Sequence, residues 1–214
     1  MKHQDNMNWI PLNCKTHYSL QHAFCKNNVL ARQCASHGYT ACGIADIKTL
    51  SGTVDFHQEC RKNGIKPIIG CDFENYVLFA KNKNGWFDLI KYVSNQNLNT
   101  LKEIASNGNV LCVSPDSNGF KKLFKNNHVQ YDYNQHRVYY VTQDEAECHR
   151  ILLCSGMKTT LKKVNKLLKD NQEIENKEFF VSDDFYLPSP SMSESYKDTN
   201  LVNQISDMCE EYEV

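Results

Sequence analysis

Residues 9–20 read WIPLNCKTHYSL. A short apolar run, Trp9 to Leu12, opens onto Asn13, Lys15, Thr16 and His17, and Tyr18-Ser19 then turns the chain away. A polar mouth at the end of a strand is a common place for catalysis, so these side chains bound the available chemistry. His17 and His22 are the nearby imidazoles, and imidazole is a preferred zinc and transition-metal ligand. Five residues apart on a turn, they do not converge as a ligand pair should, and they read as surface polar residues. Ser19 reads as turn chemistry. No G-x-S-x-G elbow and no G-x-x-x-x-G-K-[ST] loop occurs anywhere, which removes support for a serine hydrolase or a nucleoside triphosphatase.

Cysteine offers a second route to metal or redox chemistry, and there are ten. They sit singly, Cys34 and Cys60 in helical patterns and Cys42 and Cys112 in strand patterns, where a thiol behaves as a small buried hydrophobe. None forms a C-x-x-C pair and no histidine spacing completes a zinc knuckle.

Around these residues, 214 positions suit one domain with one core. A formal charge of −1 with evenly scattered Lys and Asp/Glu gives no direct nucleic-acid signal. No signal-peptide pattern and no long apolar run is present, so no membrane partner is expected and the reading is a soluble, cytoplasmic protein. Lysine and asparagine are heavily used, as in AT-rich genomes, and a small domain of such biased composition suggests a phage source.

The hydrophobic period switches repeatedly. Strands are predicted at Trp9–Leu12, Thr40–Ala45, Lys66–Ile69, Tyr76–Ala80, Val110–Ser114, Val138–Thr142 and Phe179–Val181. Helical stripes lie between them: Val29 to Cys34, Val54 to Cys60, Trp86/Leu89/Ile90/Val93, Leu98/Leu101/Ile104/Ala105, Phe120/Leu123/Phe124, Ala146 to Cys154, Leu161 to Leu168 and Leu201 to Cys209. Gly38, Gly64 and Gly108 follow helical stripes where a left-handed C′ residue is wanted. Alternating strands and helices imply parallel pairing through right-handed crossovers, in an α/β barrel or an open sheet. Leu187-Pro-Ser-Pro-Ser-Met-Ser-Glu reads as an exposed connection to a last helix.

The order of motifs carries a resemblance. GYTACGIADIKTLSGTVDFHQECRKNGIKPIIGCDF, YVLFAKNKNGWFDLIKYVS, NVLCVSPDS, DEAECHRILLCSGMKT and DDFYLPSP…NLVNQISDMCEEYEV together resemble the PHP (polymerase and histidinol phosphatase) domain at the front of bacterial DNA polymerase III alpha subunits. The resemblance implies a distorted (βα)7 TIM-like barrel, here one domain over 1–214 with a core at 9–181 and a C-terminal extension at 182–214. It places the site at the C-terminal ends of the strands. Active members bind up to three divalent metals (Zn, Mn or Mg) there and cleave phosphoesters, including 3′–5′ exonuclease proofreading, because clustered metals activate water and neutralise phosphoryl charge.

Position by position, the resemblance implies a degenerate site. Pro11, Asn13 and Lys15 stand at the opening His-x-His region. Asp46-Ile47 replaces Asp-His, Asp72 keeps a carboxylate, Asn75 replaces a His, Asp116 falls at the usual Cys, and Arg137-Val138-Tyr139 replaces Asp-x-His. Asp46, Asp72 and Asp116 are the residual metal candidates. A cation 4 Å from a divalent metal is repelled by about 8 kcal/mol at an effective dielectric of 20, and Arg137 cannot shed its proton. No confident catalytic residue and no cofactor is therefore expected, and Lys15 and Arg137 are candidate counter-ions for the three aspartates. His149 matches a family helix histidine and reads as packing or capping.

The sequence contains nothing like palm, fingers or thumb. The implied function is a stand-alone, non-catalytic module partnering a replicative DNA polymerase core or another replisome protein. The alternative is a metal-dependent phosphoesterase or 3′–5′ exonuclease with an altered site.

Overall fold

The computed structural model describes residues 9–115 and 118–214. In chain order these form α1 (Asn27–Ser36), β1 (Ala41–Ile47), α2 (Thr53–Lys62), β2 (Lys66–Asp72), β3 (Val77–Ala80), α3 (Lys83–Ser94), α4 (Leu98–Asn107), β4 (Val110–Ser114), α5 (Asn118–Phe124) and β5 (His128–Gln130). Then follow α6 (Ala146–Gly156), α7 (Leu161–Lys169), α8 (Lys177–Val181), α9 (Pro190–Ser193) and α10 (Thr199–Asp207). Local chemistry sets several boundaries. Asn82 and Asn97 cap α3 and α4 by accepting the Gly85 and Thr100 N–H groups. Gly38, Gly64 and Gly108, at φ of 75°, 69° and 75°, release α1, α2 and α4 in the left-handed turn expected of them.

The strands form one five-stranded mixed sheet in the order β1-β2-β3-β4-β5. β1–β2 and β4–β5 are parallel, but β3 is antiparallel to both of its neighbours. Uniform parallel pairing was the expectation from alternation, and connection length overrules it. Residues 73–76 are too few for a crossover, so β2 and β3 make a hairpin. Two helices, α3 and α4, then return the chain to the end of the sheet it left, and β4 runs back alongside β3.

The sheet is open, and irregular chain covers the free edge of β1. The expected strand Trp9–Leu12 pairs later than predicted: Gly43 N–H donates to Pro11 O (2.7 Å), Cys14 N–H to Gly43 O (3.3 Å) and Ala45 N–H to Cys14 O (2.9 Å). Pro11 has no N–H, which delays the ladder. Gly43 permits the approach, because a Cβ there would lie 2.7 Å from Leu12 O. The expected strand Val138–Thr142 is reduced to isolated bridges, Cys14 with Val138 and Tyr140 with Tyr186. Tyr139 and Tyr140 N–H both turn to Phe185 O, which breaks the alternation of a ladder. Phe179–Val181 is helical in α8, not a strand, since three apolar residues carry no usable period.

One apolar cluster fills the sheet and its α1–α4 side. A second gathers Tyr139, Tyr140, Ala146, Leu153, Val164, Phe179 and Phe180 beneath α6–α8. The ten cysteines are free, and all but Cys148 are buried, as small hydrophobes would be. Among the described residues no helix is long and apolar enough to cross a membrane.

Candidate functional site

The parallel register of β1 and β2 sets Asp46 opposite Cys71 and Ile47 opposite Asp72. Side chains alternate along a strand, so the two carboxylates leave the sheet on opposite faces and take different partners.

Asp46 is buried and serves the turn that follows the first segment. Its Oδ1 accepts Thr16 N–H and the Ser19 hydroxyl, and its Oδ2 accepts the Thr16 hydroxyl, all at 2.6 Å. Ser19 Oγ in turn accepts Ile47 N–H at 3.1 Å. The carboxylate thus staples residues 16–19 to the end of β1 through charge-assisted bonds.

Asp72 faces Lys15. The Lys15 ammonium lies 2.8 Å from Asp72 Oδ2, with the side chains 1% and 10% exposed, and also donates to Asn13 Oδ1. Asn13 Nδ2 donates to Tyr133 O at 2.5 Å. The Tyr133 hydroxyl donates to Glu74 O at 2.6 Å, and Glu74 N–H donates to Asp72 Oδ1 at 2.6 Å. These bonds close a ring through Lys15, Asn13, Tyr133, Glu74 and Asp72. The partners fix the Asn13 amide: its oxygen must face the ammonium and its nitrogen the carbonyl.

The field around this ring keeps its neutral acids protonated. Burial first, then the Asp72 carboxylate, pushes the Tyr133 phenol up, so it stays a donor. Burial, followed by Asp46 and Asp72, pushes the Cys71 thiol up to about 12 against a lowering by Lys15. Cys71 is therefore a protonated thiol at neutral pH and not a thiolate nucleophile.

The remaining predicted positions disperse. Arg137 does not neutralise Asp46 or Asp72. Its Nη2 lies 3.6 Å from Glu178 Oε1, and its guanidinium sits over the rings of Tyr139, Phe179 and Phe185 at 5.7, 5.4 and 5.5 Å. Guanidinium stacks well on aromatic faces, and the second apolar cluster supplies three. Tyr139 is buried in that cluster, Asn75 is exposed in the β2–β3 turn, and Pro11 is buried beside β1. Ile47 is half-buried, and Asp116 lies outside the described residues.

His17 and His22 are exposed. The His17 ring packs 4.4 Å from Tyr18, and Nδ1 lies 3.1 Å from Cys25 O. His149 is buried against Tyr139, Tyr140 and Phe179 and donates from Nε2 to His22 O at 2.8 Å. Burial lowers its pKa to about 4, so it packs as a neutral ring. Among the described residues no three His, Cys, Asp or Glu side chains converge as a metal-holding group.

Sequence reasoning passed over Tyr133 and Glu74, whose roles run through backbone atoms and leave no pattern of residue type. Thr16 was legible as part of the polar mouth and Ser19 as a turn residue, but neither as a hydrogen-bond partner of Asp46.

A mixed sheet with a polar network where β1, β2 and the irregular first segment end defines an α/β domain with a buried polar cluster at strand termini. Residues 11–187 match the family model described as PHP domain, and the chain belongs to that family. Its relatives include the DNA polymerase III subunit alpha of Chlamydia muridarum, 39% identical over 66 residues (31% of this chain, 5% of that protein). That of Ureaplasma parvum is 30% identical over 90 residues (40% and 9%), and that of Aquifex aeolicus 25% over 185 residues (84% and 15%). The chain thus spans between 5% and 15% of the length of these relatives.

Proposed function

We propose that this protein is a non-catalytic PHP module of DNA replication, whose site has exchanged metal coordination for an internal ion pair and whose role is to dock on a replicative polymerase core or another replisome protein. The observation that carries this reading is the buried Lys15–Asp72 contact at 2.8 Å. An ammonium that close to the carboxylate takes up the charge a divalent ion would neutralise, and repels such an ion by several kcal/mol (about 8 at 4 Å and an effective dielectric of 20). The amide of Asn13 is committed to the same ammonium, and Asp46 to Thr16 and Ser19. Pro11, Ile47 and Tyr139 offer no ligand of the kind the family uses, and Arg137 is turned to Glu178 and the aromatic cluster. The residues present do not fit a cluster of divalent metals.

The same reading takes the fold as a distorted seven-stave barrel, in which residues 12–16 and 138–140 are irregular staves beside the five regular strands. The bridges Cys14–Ile44 and Cys14–Val138 support it. Residence in the cytoplasm follows from a replisome role.

Metal content of the purified protein, together with cleavage of a labelled single strand in Mn²⁺ or Zn²⁺, tests the site. The expected result is no stoichiometric metal and no cleavage. Cleavage that disappears in Asp46→Asn and Asp72→Asn variants establishes instead the phosphoesterase or exonuclease alternative. Capture of a replicative polymerase subunit by the immobilised protein tests the docking role.

A further inference from the structure

The formal charge of −1 hides an uneven distribution. Between α4 and the α5–β5 connection lies a cavity of about 480 Å³, lined by Lys102 of α4, Lys122 of α5, and Lys125, Asn126 and Asn127 of the connection. The three lysines are exposed, and among the described residues no carboxylate lines the cavity and none of the three has an ion-pair partner. The acid beside Lys102, Glu103, is paired with Lys91 at 2.5 Å. A fourth cation, Lys81, donates to Gly108 O at 3.2 Å and Asn127 Oδ1 at 2.6 Å, which holds the Asn127 amide at the groove. Complementing a helix C-terminus accounts for Lys122, in the last turn of α5, but not for Lys102, at the middle of α4.

We propose that this groove binds the phosphodiester backbone of nucleic acid, by charge and without reading base sequence. Three ammonium groups and two side-chain amides that face no carboxylate among the described residues are the donor set phosphates require. Among the described residues no exposed aromatic ring lines the groove, since Phe124 is buried, so they offer no platform on which a base could stack. Contact is therefore to phosphates alone. The proposal stands apart from the docking role above and survives or fails independently of it.

The test is fluorescence anisotropy of a labelled oligo-dT with the full chain across a salt series. Three backbone contacts predict a slope of log K against log salt near −2, from about 0.7 per phosphate on a single strand. Lys102→Gln/Lys122→Gln/Lys125→Gln, all at exposed positions, is expected to weaken binding at least tenfold and flatten that slope while far-UV circular dichroism stays unchanged. Lys162→Gln/Lys163→Gln/Lys166→Gln on α7, an equally basic helix, is the control expected to bind like wild type. Absence of binding at low salt overturns the proposal, as does undiminished binding by the first variant or equal loss in the second. Equally tight, groove-dependent binding of labelled poly-glutamate assigns the groove to an acidic protein surface and also overturns it.

Discussion

Lys15 Nζ and Asp72 Oδ2 lie 2.8 Å apart with the side chains 1% and 10% exposed, bringing a cation from the first segment and a carboxylate at the end of β2 together out of water. Further hydrogen bonds support the pair in burial: Asn13 Oδ1 accepts a second ammonium hydrogen and Glu74 N–H donates to the second carboxylate oxygen. A buried pair lacking such bonds does not repay its desolvation.

Removing one partner strands the other. Lys15→Met or Asp72→Asn alone is expected to lower unfolding stability by about 3–5 kcal/mol. Lys15→Met combined with Asp72→Asn should recover a large part of that loss. Urea denaturation of the four proteins measures the coupling, and strictly additive single effects would refute a direct pair.

Asp46 holds the 16–19 turn with three bonds. Asp46→Ala is expected to cost roughly 2–4 kcal/mol, given about 1.5–3 kcal/mol for a hydrogen bond to a charged group and incomplete additivity. Amide hydrogen exchange reads this locally: protection of Thr16 N–H should fall while that of β4 amides changes only with global stability.

His149 sets a pH dependence. Its folded pKa, about 4, lies below the ordinary imidazole value of 6.5 because burial disfavours the cation. The unfolded chain therefore binds the proton more readily, so the His149 contribution is complete above pH 6.5 and is lost as pH falls toward 4. The loss is about 3 kcal/mol at its limit. His149→Phe should flatten the stability profile over that window, measured by thermal melts from pH 7 to 4.5.

Gly43 is where the first segment crosses β1 at contact distance. Gly43→Ala places a methyl 2.7 Å from Leu12 O and 2.9 Å from Leu12 Cα, both backbone atoms that cannot swing aside. A destabilisation of about 1–3 kcal/mol is expected by denaturant titration.

Metal addition should leave the melting temperature where it is. A divalent ion at a hundredfold excess over its dissociation constant would add about 2.7 kcal/mol. A rise with Zn²⁺ or Mn²⁺ that is absent from Asp72→Asn would restore metal to the site.

Much of this molecule is legible without coordinates, because the information is local. The α3 and α4 stripes, the left-handed glycines at 38, 64 and 108, and the apolar run at Val110–Ser114 depend on neighbours within one or two turns of chain. The motifs that mark the family are likewise contiguous.

What tertiary structure alone decided is pairing across distance. Lys15 and Arg137 are both cations in polar segments, yet one meets Asp72 and the other stacks among Tyr139, Phe179 and Phe185 beside Glu178. Residue type fixes a charge but not the counter-charge it reaches, because strand direction and register choose the neighbour. For the same reason the meeting of Lys102 with Lys122 and Lys125 had no local signal: it follows from where the connections return the chain, a property of the whole path.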